Sequence, residues 1–332
     1  MPTTDRCRDE RGGVRGFLLG LTVVVAVFAV VGVLMYEGVG PFPEPEGCTA
    51  RAGGVTVDLS IEQAENASVI AAVGLRRGLP ARAVSIALAT AYQESKLRNL
   101  DHGDRDSVGL FQQRPSMGWG SVHQLTNPYY ASNAFYDELV KVDGFRHMRI
   151  TDAAQKVQRS GFPEAYEDHA SDARAVASAL TGYSPARFSC VVHRPHDLAA
   201  QEERRSGLTP RAAKVRRGLE RAFGHLALGG FAPGGVTDGH MKGSAHYDGR
   251  AIDVFVRPVD EANNRLGWAI AQYLVAQAHR LEIEHVIFDQ RIWTTGALSE
   301  KGWRHYRPPE RSGNRATLEH RDHVHVDVLA GG

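Results

Sequence analysis

The chain reads as a multidomain protein: a single N-terminal transmembrane helix, a mainly α domain, and then an α+β domain. Three observations predict this. Residues 17–35 run without a charge. From about Ile61 to Leu180 apolar residues recur at helical spacing, with few strand signals. Beyond about Ala251, short β-branched runs flank one long helical pattern. The boundaries follow as 1–36 for the cytoplasmic tail and anchor, 37–57 for a spacer, 58–192 for the first domain, 193–207 for a linker and 208–332 for the second domain. A length of 332 residues exceeds one typical domain and suits two.

The run Phe17 to Met35, as a helix, would be about 28 Å long, enough to cross a bilayer core. Arg6, Arg8, Arg11 and Arg15 precede it and Glu37, Glu44 and Glu46 follow it, which puts the N-terminus in the cytoplasm and the rest outside. The rival reading is a cleaved signal peptide. Such a segment is usually shorter and ends in a small-x-small site, whereas this run ends Gly32-Val-Leu-Met-Tyr36. The Pro/Gly/Glu stretch from Glu37 to Gly47 then reads as an extended spacer.

Net charge is +1, so no global electrostatic case exists for a nucleic-acid partner. Of the three cysteines, Cys7 falls on the cytoplasmic side. Cys48 and Cys190 fall outside, where disulfides persist, at the two ends of the first domain. They are either two free thiols or one bridge across a long loop.

In the first domain Ser60 or Asp58 caps a helix through Ala64, Val69, Ile70 and Val73 that stops near Gly78. Pro80 opens the next, which carries Val84, Ala87, Leu88 and Ala91 up to Glu94. Further helices are expected at 133–142, 151–158 and 168–180. Residues 193–206 are polar and linker-like. Thr209-Pro210 opens a helix to about Phe223, a Gly-rich loop covers 224–239, and a helix is expected over 264–280. Strands are expected at 251–256, 285–288 and 323–329.

Glu94 stands near the end of an apolar-faced helix, where partial burial favours a neutral carboxyl suited to general-acid work. Alone it is a surface glutamate like most others. It is followed by Gly109-Leu110-Phe111-Gln112, and Glu94-Ser95 with that segment resembles the Glu-Ser … Gly-Leu-Met-Gln signature of the lysozyme-like lytic transglycosylases. The longer stretch from Gln93 to Gly120 is similar to a set of actinobacterial cell-wall hydrolase domains, and the likeness spans about 61–180. It implies that Glu94 protonates a glycosidic oxygen and that Gln112 lines the saccharide groove. The family's later Ala-Tyr-Asn-Ala-Gly motif is absent; Val157-Gln-Arg-Ser160-Gly161 stands in a comparable place, with Tyr166 soon after as a further substrate-binding candidate. A hydrolase would need a second carboxylate, for which Asp101, Asp104 and Asp106 are candidates, although beside Gly103 each also reads as a loop-forming residue. A transglycosylase needs only the one acid.

In the second domain His246 and Asp253 lie seven apart, with Gly249 and Ala251 between them, and His323 and His325 follow downstream beside Asp322. Imidazole and carboxylate donors in this number suit Zn²⁺. With 15 histidines some clustering is expected by chance, but not this order. The segment Ser244-x-His246-x-x-Gly249-x-Ala251-x-Asp253 with Asp322-x-x-His325 resembles the D-alanyl-D-alanine carboxypeptidase and endopeptidase superfamily, over about 208–328. That likeness implies His246, Asp253 and His325 as zinc ligands and Asp322 as general base, a position where much of the superfamily has Glu. Strand alternation puts His323 on the same face as His325, either as a substrate-binding or oxyanion neighbour or exchanging the ligand role with His325.

Together the resemblances imply a membrane-anchored protein acting on peptidoglycan. The first domain would cut glycan strands and the second stem-peptide amide bonds. Two other readings stay open: only the first domain is catalytic, or the protein is a wall-binding scaffold of a secretion or conjugation apparatus.

Overall fold

The computed structural model describes residues 44–331, apart from 163, 309, 311 and 312. The expected membrane helix and most of the spacer lie outside the described residues; among those described, no helix is long and apolar enough to cross a membrane. From Pro45 onward the chain forms one compact unit.

That unit begins with β1 (Gly47–Ala52) and β2 (Val55–Leu59), an antiparallel hairpin turned at Gly53-Gly54. β3 (Phe188–Val191) pairs on the other side of β1, giving the order β2-β1-β3. Residues 47–57, expected as spacer, are therefore a packed hairpin. Its alternation is the reason: Cys48, Ala50, Val57 and Leu59 turn inward and are buried. Cys48 and Cys190 face each other in register and form a disulfide closing a separation of 142 residues. By loop-closure entropy this bridge is worth on the order of 4–5 kcal/mol. Cys48→Ser, tested by chemical denaturation under oxidising conditions, is expected to lose about that amount.

The helices are α1 (Ile61–Arg76), α2 (Ala81–Ser95), the short α3 (Val122–Leu125), α4 (Pro128–Leu139), α5 (Ile150–Gln158) and α6 (Ala170–Leu180). Ser60 caps α1 in a capping box with Gln63. α4 starts five residues before the expected 133, because Asn127 accepts from the Tyr129 N–H and Pro128 takes the first helical position.

Residues 192–208 carry no helix or strand. They are nonetheless held to the second half: buried Arg211 donates to the Ala199 carbonyl, pairs with Glu282, and reaches the carbonyls of Leu329 and Ala330. α7 (Pro210–Phe223) starts at the Thr209 cap as expected. A six-stranded antiparallel sheet follows, in the order β4-β5-β9-β6-β7-β8. Its strands are β4 (Leu228–Gly229), β5 (Ala251–Phe255), β6 (Ile283–Phe288), β7 (Arg291–Thr294), β8 (Arg304–His305) and β9 (His323–Val328). α8 (Glu261–Ala276), the one-turn α9 (Ala278–Leu281) and the one-turn α10 (Arg315–Leu318) complete it.

The two halves share one hydrophobic core. At their junction Gln272 of α8 is fully buried, and all its hydrogen bonds go to the first half's backbone. Its Oε1 accepts from the N–H groups of Arg187 and Phe188, and its Nε2 donates to the Ala179 carbonyl. Trp293 and Trp303 sit there too, donating their indole N–H groups to the carbonyls of Cys190 and Phe188. A buried amide stripped of such partners costs about 1–3 kcal/mol, so this junction is specified as well as apolar.

Candidate active-site groove and metal centre

The first site is a groove of about 1060 Å³ lined by Glu94, Gln112, Arg114, Trp119, Gln158 and Ser160, among others. α2 ends at Ser95 and presents Glu94, half-buried, at its rim. The Glu-Ser pair has a structural logic: the buried Ser95 hydroxyl donates to the Leu110 carbonyl at 2.8 Å, tying the helix end to the Gly-Leu-Phe-Gln loop. Gly109 has φ +78° and lies so close to the Leu125 carbonyl that a Cβ would meet that oxygen at 2.3 Å. Phe111 then stacks on Phe135 in the core.

Gln112 lines the groove and also braces it, accepting from Ser107 and donating to the carbonyls of His102 and Gly109. Residues 157–161 line the groove together with Glu94, at the place where the motif departure falls. Tyr166, expected to touch substrate, is instead fully buried, and its hydroxyl donates to Glu94 Oε1 at 2.7 Å. Burial and the neighbouring Glu94 charge push that phenol well above its usual range, so it remains a donor that fixes the carboxylate.

Of the three aspartates, Asp104 lines the groove and Asp101 pairs with His102 on the surface. Asp106 is committed to the loop: it accepts from Arg114 Nε at 2.7 Å and from the Ser116 N–H and hydroxyl. Arg114 and Ser116 hold its carboxyl well below the usual carboxylate range.

The second site lies on the sheet. Asp253 of β5 and His325 of β9 are direct cross-strand partners. His246 reaches them from the preceding loop, where Gly249 turns the chain at φ +62° and Ala251 is fully buried. Three donor atoms converge. His246 Nε2 lies 3.1 Å from His325 Nδ1 and 3.3 Å from Asp253 Oδ1, and His325 Nδ1 lies 3.1 Å from Asp253 Oδ1. Tetrahedral ligands at zinc distances of about 2.0–2.1 Å are separated by roughly 3.3 Å, so this triangle fits the ion.

The surroundings agree. His246 Nδ1 donates to the Gly230 carbonyl at 2.6 Å, which leaves Nε2 as the donor to a metal. A Cβ on Gly230 would meet the His246 ring at 2.3 Å, so only glycine admits this contact. His325 Nε2 lies 3.3 Å from Asp327 Oδ2, and Asp327 is held in turn by His285 Nδ1 at 3.0 Å. Burial disfavours a charged His325, but its hydrogen bonds to Asp253 and Asp327 outweigh this and raise it to about 10. Burial likewise opposes ionisation of Asp253, yet His246 and His325 hold it well below the usual range. The pocket is thus arranged around a positive charge. Asp327→Asn should weaken zinc binding by about 10–100-fold, measured by competition with a chromophoric chelator.

Asp322 is buried, and both its oxygens are engaged. Oδ2 accepts from Thr317 and Arg257 and Oδ1 from His323 Nδ1 at 2.7 Å. His323 then turns Nε2 toward Asp253 Oδ1, 3.8 Å away. Sequence reasoning missed Asp327, His285, Gly230 and His240. Asp327 carried a signal, since it continues the alternation of His323 and His325 along β9; a lone histidine in a Gly-rich loop, such as His240, carried none.

Residues 204–319 match the family model described as VldE, C-terminal domain. The match takes in His246 and Asp253 and ends before Asp322, His323 and His325. No curated protein matches the chain.

Proposed function

We propose that this chain is a membrane-anchored peptidoglycan-remodelling enzyme with two active centres, one for glycan strands and one for stem-peptide amide bonds. The observation that carries the reading is the presence, in one compact unit, of a groove carboxylate fixed by a buried tyrosine and a buried two-histidine, one-aspartate triangle of tetrahedral size.

In the groove, Glu94 gives its proton to the glycosidic oxygen as the C1–O bond breaks. A hydroxyl of the same sugar attacks C1, and its proton returns to Glu94. This lytic transglycosylase course needs no second carboxylate; of the candidates for one, Asp106 is committed to its loop while Asp104 lines the groove.

In the second centre His246, Asp253 and His325 would hold zinc, which when bound would supply Lewis-acid polarisation of the scissile carbonyl. His323, with Nδ1 held by Asp322, offers Nε2 to take a proton from the attacking water and pass it to the departing amine. The base role thus moves from Asp322 to His323, with Asp322 as its positioning residue. The engagement of Asp322 by Arg257 and Thr317 also supports a second reading, in which this half binds stem peptide without cutting it.

Digestion of purified peptidoglycan, read by mass spectrometry, tests the proposal. Anhydro-ended fragments and shortened stem peptides are expected. Reducing ends would replace transglycosylase by muramidase, intact stem peptides would favour the second reading, and co-sedimentation with uncut wall would leave a binding scaffold.

A further inference from the structure

The Gly-rich loop before the first metal-ligand motif carries a histidine that the proposed chemistry does not use. His240 stacks on His246, with ring centroids 3.9 Å apart and planes 20° from parallel. Its ligating atom lies within 4.8 Å of those of His246 and Asp253. The direct ligand pairs stand at 3.1–3.3 Å, and His240 joins His246 and Asp253 within that wider 4.8 Å span. Its ring makes no hydrogen bond among the described residues, although it is half-buried in a polar site.

The backbone of His240 is clamped by one side chain. The Tyr247 hydroxyl accepts from the His240 N–H at 3.0 Å and donates to the His240 carbonyl at 2.9 Å. Tyr247 directly follows His246, so the clamp ties His240 to the position of a ligand. On either side stand Gly239 at φ +84° and Gly243 at φ +77°, and a Cβ at either would meet nothing within 4 Å. The segment is pinned at one residue and hinged at two glycines.

We infer that His240 is a reversible fourth zinc ligand. With three protein ligands a tetrahedral site keeps one open position, which catalysis requires; a fourth protein ligand closes it. His240 is the imidazole placed to fill that position from the loop, and its withdrawal about the flanking glycines admits a peptide carbonyl. The resting centre is therefore self-capped, a restraint suited to an enzyme acting on the wall of its own cell. This inference rests on the metal reading of the second centre.

X-ray absorption of the zinc-loaded full chain counts coordinating imidazoles. Three are expected in the native chain and two in His240→Ala, with Tyr247→Phe between them because the clamp is lost. His240→Ala should also hydrolyse stem peptides faster than the native chain, while His246→Ala loses cleavage. Two imidazoles in both the native chain and His240→Ala would overturn the cap and leave the three-ligand site standing. Failure of the native chain to bind zinc at all would overturn the cap and the metal reading together.

Discussion

Glu94→Gln should reduce glycan-strand cleavage by on the order of 10²–10⁴-fold, the usual contribution of a positioned general acid. The substitution keeps shape and volume and removes only the transferable proton. The Tyr166 hydroxyl, 2.7 Å from Oε1, can donate equally to an amide oxygen, so the side chain stays in place and groove binding survives. Tyr166→Phe separates positioning from chemistry: losing one hydrogen bond of about 1–1.5 kcal/mol should slow the reaction roughly tenfold. Release of soluble muropeptides over time, with wall binding measured in parallel, reads both variants. Native rates from Glu94→Gln would remove Glu94 from the mechanism.

His246→Ala, or stripping with a chelator, should abolish stem-peptide cleavage while leaving glycan cleavage near native. Lewis-acid stabilisation is worth several kcal/mol, so at least about a 10³-fold loss is expected. The same treatment should lower the thermal midpoint, because a bound ion stabilises only the folded state. Restoring zinc to the chelated protein should recover both activity and midpoint, whereas His246→Ala should recover neither. Stem-peptide cleavage that survives chelation would show that the His246–Asp253–His325 triangle is not a catalytic metal centre.

Much of this architecture is legible in local signals. Thr209-Pro210 announces α7 because a capping hydroxyl followed by proline is a backbone-level cue. The same cue stands at Asn127-Pro128, but the apolar period becomes conspicuous only later in α4. The hairpin at 47–59 is masked by the prolines and glutamates just ahead of it, although its inward alternation and Gly-Gly turn are present. Among the candidate site residues, those carried by spacing are legible: Glu94 from its helix end, and His246, Asp253 and His325 from motif order. Those whose role depends on long-range contact are not. Tyr166 lies 72 residues from the glutamate it holds, and no periodicity places a phenol against a particular carboxylate. His285 meets Asp327 only because β6 pairs with β9, and the hydrogen bond from Arg257 to Asp322 spans 65 residues.

The Cys48–Cys190 bridge also sets where mechanical load would travel. Whatever pulls on the chain ahead of β1 meets the bridge at the second residue of that strand, before the remaining β1 pairs can be peeled apart. Tension then passes covalently into β3, where the Cys190 and Phe188 carbonyls are gripped by the indoles of Trp293 and Trp303, and so enters the second half of the molecule directly. The Glu94 groove, built from residues 94–161, lies inside the bypassed loop between the two cysteines. If the protein is anchored ahead of β1 as proposed, this wiring keeps the Glu94 groove out of the force path, so that tension on the anchor need not distort it.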